Sequence, residues 1–334
     1  MELSELEPGP GRFDSGLGAW ILTSHADVAA ALRDPQLAIP GTPIEGHAAH
    51  LAVREAGAQA FPPARLAEWR TRIETSARTL ARGLDSDVPI DLISAFAAPW
   101  SLALAITATG ASPREGERLS GLARQVFLAA ARSTDGEPEA EAQGAAAELA
   151  REFPGEGASI AVQAFVALTH TLPSFLAGAW YVLFRHPEET LRLRSDPGLM
   201  PQAIEELLRY ASPARAVFRV ARAAVSIGSA EIGPGERVVL MLAAANRDPA
   251  QFPDPGRLDL RRGAQGHLAF GKGPHSCSGA QLIRMAAAVA TDALLRAADL
   301  VEPTGQVDWI GGFAIRAPGR LPVVLRRGSA PPQP

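Results

Sequence analysis

The chain contains one cysteine, Cys277, inside a glycine-rich segment that reads Phe270-Gly271-Lys272-Gly273-Pro274-His275-Ser276-Cys277-Ser278-Gly279. A single thiol forms no disulfide within the chain, so it is a nucleophile, an inert core residue or a metal ligand. Gly271, Gly273 and Gly279 allow the backbone to fold tightly around the sulfur, to approach a flat ligand closely and to point N–H groups at a thiolate. A thiolate held in this way suits haem iron.

This segment resembles the cysteine-ligand loop of the cytochrome P450 family, in which Phe-Gly-x-Gly-x-His-x-Cys-x-Gly leads into a helix. Every fixed position of that pattern is present, and the following Leu282-Ile283-Arg284 differs from the family's Leu-Ala-Arg by one residue. The resemblance extends over almost the whole chain, because residues 20–35 resemble the N-terminal strand and helix and residues 243–255 resemble the meander. It implies the family's fold, which is mainly α with a minor β region. Part of the substrate-covering loop and helices of that fold is expected to be absent here.

The resemblance also implies one haem-thiolate domain over residues 1–330. Residues 331–334 are expected to form a disordered tail. The cofactor would be haem b, with Cys277 as the axial iron ligand and with Phe270, Gly271, Gly279 and Ala167 as further cofactor-binding residues.

Four further residues resemble the family's contacts to the haem propionates. His275 precedes the cysteine by two residues, and His50 with Arg54 resembles the family's His-x-x-x-Arg. Arg219 resembles a third propionate contact. Arginine side chains suit carboxylates because the guanidinium group can donate two parallel hydrogen bonds.

Glu206 and Arg209 lie three residues apart on one helical face, where they can form an ion pair. The resemblance implies that Arg262 joins them in a buried triad that braces the cysteine loop. Since loss of any member would leave a buried charge without its partner, we expect each substitution to reduce haem retention.

The distal helix departs from the family pattern Ala/Gly-Gly-x-Asp/Glu-Thr, whose acid and alcohol relay protons. The aligned residues run from Ala167 to Thr171, with His170 in place of the acid and Leu168 in place of the second glycine. Thr171 keeps the alcohol. Two interpretations of His170 stay open: a neutral histidine that relays protons near neutral pH, or a packed, hydrogen-bonded side chain without that role.

The segment Ile160–Phe184 has no charged residue and is long enough to cross a bilayer. A helix buried inside a large protein has the same composition, and a span here would separate motifs that must meet around one cofactor. We therefore expect a buried helix, no membrane and a cytoplasmic protein. Pro173 has no N–H to donate to the carbonyl of Thr169, so it predicts a distortion of this helix.

Local patterns predict the other elements. Ser24 is the predicted N-cap of a helix over residues 25–33, and residues 217–242 alternate as short antiparallel strands do. Residues 133–145 are polar and are expected to be exposed. Residues 246–266 are typical of an irregular, anchored loop, whereas residues 280–298 predict a helix and residues 321–325 a strand.

Two regions that ordinarily form the family's lid over the distal pocket are short, namely residues 36–49 and residues 111–166. The shortening indicates a more open pocket, a large or carrier-bound substrate, or a partner that supplies the cover, including a second subunit in a homodimer. The turn at residues 311–314 resembles the family's last substrate-facing turn, which would place Phe313 over the substrate.

The resemblance implies a monooxygenase that oxidises an apolar or carrier-bound organic substrate with O2. Electrons would come from NAD(P)H through a separate reductase and a ferredoxin or flavodoxin, because the chain has no flavin or iron–sulfur motif. Two alternatives remain open: a haem-thiolate enzyme with peroxide-dependent, rearrangement or dehydration chemistry, and a non-catalytic haem-binding or sensing protein. The net charge of −4 gives no reason to expect nucleic-acid binding.

Overall fold

Helices are the main secondary structure of the described residues, and the strands form small sheets. A computed structural model describes residues 7–41, 61–136, 139–155 and 157–328. The predicted mainly α fold with a minor β region is confirmed. The predicted tail at residues 331–334 lies outside the described residues.

Eleven α-helices occur in the described part of the chain, and two π-helical segments interrupt them, at Ile93–Ala97 and Ala167–Thr171. The helices are α1 (His25–Ala31), α2 (Pro63–Arg82), α3 (Ala98–Thr109), α4 (Gly116–Arg132), α5 (Ala140–Arg151), α6 (Ala158–Val166), α7 (Leu172–Phe184), α8 (Pro187–Ser195), α9 (Met200–Ala211), α10 (Leu242–Ala245) and α11 (Ala280–Ala297).

Helix α1 begins at the predicted position. The Oγ of Ser24 accepts a hydrogen bond from the backbone N–H of Asp27 at 3.1 Å, which satisfies one of the free N–H groups at the helix start. The helix ends at Ala31, two residues earlier than predicted.

The long apolar segment forms α6, the second π segment and α7 as one helical run. By length and composition, the run Ala158–Arg185 could cross a membrane, and half of its most apolar window is buried. Helix α7 is the buried half: Trp180 is completely buried, its ring stacks on Phe96 at 5.5 Å and its Nε1 donates to Thr291. In α6 only Phe165 is buried, so the predicted full burial is wrong for this half of the run.

The strands form four small sheets within the described residues. The strands are β1 (Arg12–Asp14), β2 (Ala19–Leu22), β3 (Leu37–Ala38), β4 (Pro89–Asp91), β5 (Val217–Ala221), β6 (Val225–Ile227), β7 (Ala230–Ile232), β8 (Arg237–Leu240), β9 (Leu300–Pro303), β10 (Trp309–Gly311), β11 (Arg316–Pro318) and β12 (Pro322–Arg326). The predicted antiparallel strands are present. A parallel pair of β2 with β8, which the local patterns do not predict, completes the largest sheet, in the order β1-β2-β8-β5-β3.

The expectation that residues 133–145 are exposed is wrong for Ala142 and Ala145, whereas residues 139–141 and 143–144 are exposed. Helix α5 begins at Ala140 and buries Ala142 and Ala145 against α4. Alanine has the highest helix propensity, and its small side chain allows two helices to approach closely. Arg118 of α4 also pairs with Glu148 and Glu152 at the C-terminal end of α5.

Candidate functional site

The cysteine loop is a series of tight turns that presents Cys277 on the surface of a cavity. The backbone N–H of Cys277 donates to the carbonyl of Phe270 at 2.8 Å, and that of Ser276 donates to the carbonyl of Gly273 at 3.0 Å. Gly271 and Gly273 adopt φ values of +66° and +73°, a region that favours glycine. The Cys277 side chain is exposed, which leaves the sulfur accessible to a ligand.

Gly273 also allows a close backbone approach. A Cβ atom at this position would lie 2.7 Å from the carbonyl oxygen of Leu32 and 2.9 Å from the Cα of Arg33. The C-terminal end of α1 therefore supports the loop from one side, and only a residue without a side chain fits there.

A cavity separates the cysteine loop from the distal helical run. Ala167 and Leu168 of the second π segment contribute to one wall, and the loop around Cys277 contributes to the facing wall. The described residues around the cavity are Phe61, Ile160, Gln163, Ala164, Ala167, Leu168, Cys277, Ser278, Gly279, Leu282 and Ile283. The predicted site residues Ala167, Cys277 and Gly279 thus line one cavity, whereas His170 and Thr171 are not among its described lining residues.

The side chain of His170 is directed at α4. Its Nε2 lies 2.9 Å from the carbonyl oxygen of Ser120, and its ring stacks on Phe127 with a centroid distance of 5.7 Å and an interplanar angle of 28°. Burial lowers the pKa of His170 below its ordinary value; the hydrogen bond to Ser120 opposes this shift, and the charge of Arg124 adds to it. The structure therefore favours the packed, hydrogen-bonded interpretation of His170.

The distal helix is distorted where Pro173 predicts a distortion. The N–H of Leu172 donates to the carbonyl of Ala167, five residues back, as in a π-helix. Pro173 follows directly and has no N–H to restore the α-helical pattern towards Thr169.

Glu206, Arg209 and Arg262 form a triad. The carboxylate of Glu206 accepts two hydrogen bonds from Arg209, each at 2.8 Å, and a third from Nε of Arg262 at 3.1 Å. The Glu206 and Arg209 side chains are completely buried. Both arginines also donate to loop carbonyls, including those of Pro255 and Asp254, so the triad fixes the irregular loop.

Asn246 connects this triad to the cysteine loop, a role that the sequence pattern alone does not predict. Its carbonyl accepts a hydrogen bond from Arg209 at 2.9 Å, and its Oδ1 accepts one from the N–H of Leu268 at 2.7 Å. Leu268 lies two residues before Phe270. The available signal was the position of Asn246 in the segment that resembles the family's meander.

A second charged cluster was also missed. Glu205 accepts hydrogen bonds from Arg284, at 2.6 and 3.0 Å, and lies 3.1 Å from Nε2 of His267. Burial alone raises the pKa of Glu205, but the hydrogen bonds from His267 and Arg284 together outweigh burial and lower this pKa to about 2. Because each member lies in a different segment of the chain, no local spacing indicated the cluster.

The candidate propionate contacts are only partly described. Arg219 is a buried residue of β5, and its Nη1 donates to the carbonyl of Phe218 at 2.7 Å. His275 lies in a short 3₁₀ turn, Gly273–His275, and precedes the cysteine by two residues. His50 and Arg54 lie outside the described residues. Phe313 packs on Phe218, with ring centroids 6.0 Å apart.

Comparisons with known sequences identify the family. Residues 182–309 match the sequence model of the family described as Cytochrome P450. Cytochrome P450 107B1 of Saccharopolyspora erythraea is 32% identical over 92% of this chain and 90% of its own length. Nocardicin C N-oxygenase of Nocardia uniformis is 30% identical, over 93% of this chain and 91% of its own. The chain belongs to the cytochrome P450 family, and it is a monooxygenase-type oxidoreductase.

The fold agrees with this assignment. The structure of CYP109B1 from Bacillus subtilis matches with a TM-score of 0.81 and 26% identity, over 95% of this chain and 96% of that chain. The structure of P450BioI in complex with an acyl carrier protein bearing hexadec-9Z-enoic acid matches with a TM-score of 0.79 and 25% identity, over 92% of each chain.

The chain is shorter than its relatives, as predicted. Its alignment with 6-deoxyerythronolide B hydroxylase of Saccharopolyspora erythraea, 29% identical, extends over 384 positions and covers 97% of this chain and 94% of that protein. The alignment is longer than the chain of 334 residues. The hydroxylase therefore has internal segments that are absent here.

The residues around Cys277 fit the haem that the family implies. Cys277 would supply the single thiolate ligand to the haem iron. Leu168, Leu282 and Ile283 give the cavity apolar walls, which suit a flat apolar ring system. The carboxylates of the haem would require cationic partners, for which Arg219 and His275 are the described candidates.

Proposed function

We propose that this protein binds haem b through Cys277 and oxidises an apolar or carrier-bound organic substrate with O2. The observation that carries the proposal is the exposed thiol of Cys277, which faces an apolar cavity opposite Ala167 and Leu168. Electrons come from a separate redox partner of the ferredoxin or flavodoxin type with its NAD(P)H reductase.

Each part of the site has a distinct task in this proposal. When bound, haem supplies the one-electron and oxygen chemistry that amino-acid side chains do not provide. The loop turns hold the sulfur of Cys277 at a fixed position, and the apolar walls exclude water from the space beside it. Arg219, His275, His50 and Arg54 hold the two carboxylates. The Glu206 triad fixes the loop from behind.

On the distal side, Thr171 is the proposed holder of a proton, because it keeps the alcohol of the family pattern. The Nε2 of His170 lies at hydrogen-bond distance from Ser120, so the geometry gives less support to a relay through its ring. A distal wall without the family's acid favours the second candidate function, peroxide-dependent oxidation or another haem-thiolate reaction. Turnover driven by peroxide in the absence of any reductase would support that alternative.

The proposal of a large or carrier-bound substrate is supported by the shortness of the chain. Internal segments of 6-deoxyerythronolide B hydroxylase have no counterpart here, and the sequence predicts that the lid over the cavity is the part that is shortened. One structural neighbour, P450BioI, is described in complex with a fatty acid attached to an acyl carrier protein. We extend that type of substrate to this chain as a proposal.

The experiment is the absorption spectrum of the purified protein, first oxidised and then reduced under CO. A strongly red-shifted CO band is expected for the wild-type protein, because a thiolate ligand donates electron density to the iron. Cys277→Ser should lose this band, and the neighbouring Ser278→Ala should keep it. A wild-type protein that retains haem without the red-shifted band contradicts the proposal.

Turnover is tested separately. The wild-type protein is incubated with O2, NADPH and a ferredoxin with its reductase, and an acyl carrier protein loaded with a fatty acid is compared with the free acid. Oxygenated product that depends on both O2 and NADPH supports the monooxygenase. Consumption of NADPH without any oxygenated product, over a panel of ligands that perturb the haem spectrum, argues against it.

A further inference from the structure

His170 contacts one face of α4 from a position on the distal wall. Its ring lies against Ser120 and Phe127, and the charge of Arg124 acts on the same ring. These three residues follow one another at separations of four and three, so they share one face of the helix. The imidazole is therefore fixed to α4 by a hydrogen bond and by ring stacking.

The same short segment carries the wall of the cavity. His170 belongs to the π segment Ala167–Thr171, in which Ala167 and Leu168 line the cavity. A π-helical turn inserts one extra residue and frequently occurs at functional sites. Within five residues, one part of the backbone thus faces Cys277 and another part is held by α4.

We propose that His170 is a positioning residue that couples the position of α4 to the distal wall of the cavity. A displacement of α4 is transmitted to Ala167 and Leu168 through the hydrogen bond between His170 and the carbonyl of Ser120. A neutral imidazole can make this contact, because its Nε2–H donates to the carbonyl oxygen of Ser120. That oxygen has two lone pairs, so it can also accept a backbone hydrogen bond within α4. The inference rests on the proposed function only for its effect on turnover.

The test separates the hydrogen bond from the ring. His170→Phe keeps an aromatic ring without the donor, and His170→Gln keeps a donor without the ring. Hydrogen exchange of the haem-loaded protein is followed in Gly116–Arg132 and in Ala167–Thr171. For His170→Phe we expect faster exchange in both segments, by about threefold to tenfold, since one hydrogen bond contributes about 1 kcal/mol. His170→Gln should show a smaller increase in both.

Two further variants are compared with the His170 variants: one removes the stacking partner of His170, and the other changes an unrelated histidine. Phe127→Leu removes the stacking partner from the other side and should loosen both segments, although the histidine is intact. His186→Phe changes a half-buried histidine outside both segments, which lies 3.3 Å from Glu188, and it should leave both segments unchanged. The red-shifted CO band, measured on every variant, reports haem binding independently, so a failure of the proposed function is distinguishable from a failure of the coupling.

Two results would overturn the inference. In the first, His170→Phe accelerates exchange in Ala167–Thr171 while Gly116–Arg132 exchanges as in the wild type, which means that the contact transmits nothing. In the second, His170→Gln abolishes oxygen-dependent turnover although exchange in both segments is unchanged, which identifies His170 as a proton relay. A rise in KM with little change in kcat for both His170 variants supports the coupling.

Discussion

The guanidinium carbon of Arg284 lies 4.7 Å from the ring centre of Phe270, within the range of a cation–π interaction. The same guanidinium group donates two hydrogen bonds to Glu205 of α9. The first residue of the cysteine loop is thus packed against an ion pair that joins α9 to α11. Since His267 also lies 3.1 Å from Glu205, the carboxylate of Glu205 is the centre of the contacts on this side of the loop.

Glu205 should make the protein sensitive to acid. Its pKa of about 2 is lower than the ordinary value of 4.5, so its stabilising contribution is fully present above pH 4.5 and is lost as the pH falls towards 2. Glu205→Gln should lower the free energy of unfolding at pH 7 by about 2 kcal/mol, a figure reduced for partial solvent exposure. Urea unfolding of both proteins at several pH values measures this difference, which should disappear near pH 2.

Glu302→Gln is the matched control, because Glu302 pairs with Arg326 on the surface. Exposed pairs contribute about 0–1 kcal/mol, so this variant should differ little from the wild type at pH 7. A Glu205→Gln protein as stable as the control at pH 7 would contradict the prediction.

The buried triad should be far more sensitive than a surface ion pair. Glu206→Gln removes the charge that compensates Arg209 and Arg262, so we expect a loss of about 3–5 kcal/mol and weaker haem retention. Asp292→Asn, which weakens the exposed pair with Arg296, should cost less than about 1 kcal/mol. Denaturant unfolding gives the stabilities, and transfer of haem to an acceptor protein gives the retention. Equal losses in the two variants would show that the triad contributes no more than a surface pair.

Gly273 should be much less tolerant of alanine than a glycine of similar conformation in open space. Gly273 and Gly235 have φ values of +73° and +81°, so alanine should cost about 1–2 kcal/mol at either position. At Gly273 the added Cβ would also lie 2.7 Å from the carbonyl of Leu32, whereas at Gly235 nothing lies within 4 Å. Overpacking adds about 1–3 kcal/mol. Thermal unfolding and haem content measure the difference, and equal stabilities would refute the steric explanation.

The sequence predicted features that depend on a few neighbouring residues. Ser24 caps α1 by accepting a hydrogen bond from the N–H of Asp27, which is only three residues away in the sequence. The turns around Cys277 follow from glycines at fixed local spacing. The parallel pairing of β2 with β8 could not be predicted in this way, because it joins residues more than 200 positions apart. The cluster of Glu205, His267 and Arg284 was missed for the same reason.

The orientation of His170 shows a different limit of sequence-based prediction. An α-helical alignment of Ala167–Thr171 with the family pattern assigns His170 to the position of a proton-relaying acid. The observed π-helical turn changes the angle between successive side chains, and Ala167 and Leu168 then line the cavity while His170 contacts Ser120. Pro173 indicated a distortion, but it did not specify which side chain would turn away.

His170 should lower the stability of the protein on mild acidification. Its pKa in the folded protein is lower than the ordinary value of 6.5, chiefly because the ring is buried, with a further contribution from Arg124. The unfolded chain therefore binds the proton more readily, so the contribution of the neutral ring is present above pH 6.5 and is lost as the pH falls below that value. Glutamine does not titrate, so the wild type should lose unfolding free energy relative to His170→Gln as the pH falls. Urea unfolding at pH 8, 6.5 and 5 measures it, and Arg124→Gln should reduce the change. Stability curves of the wild type and His170→Gln that stay parallel over this range would contradict the prediction.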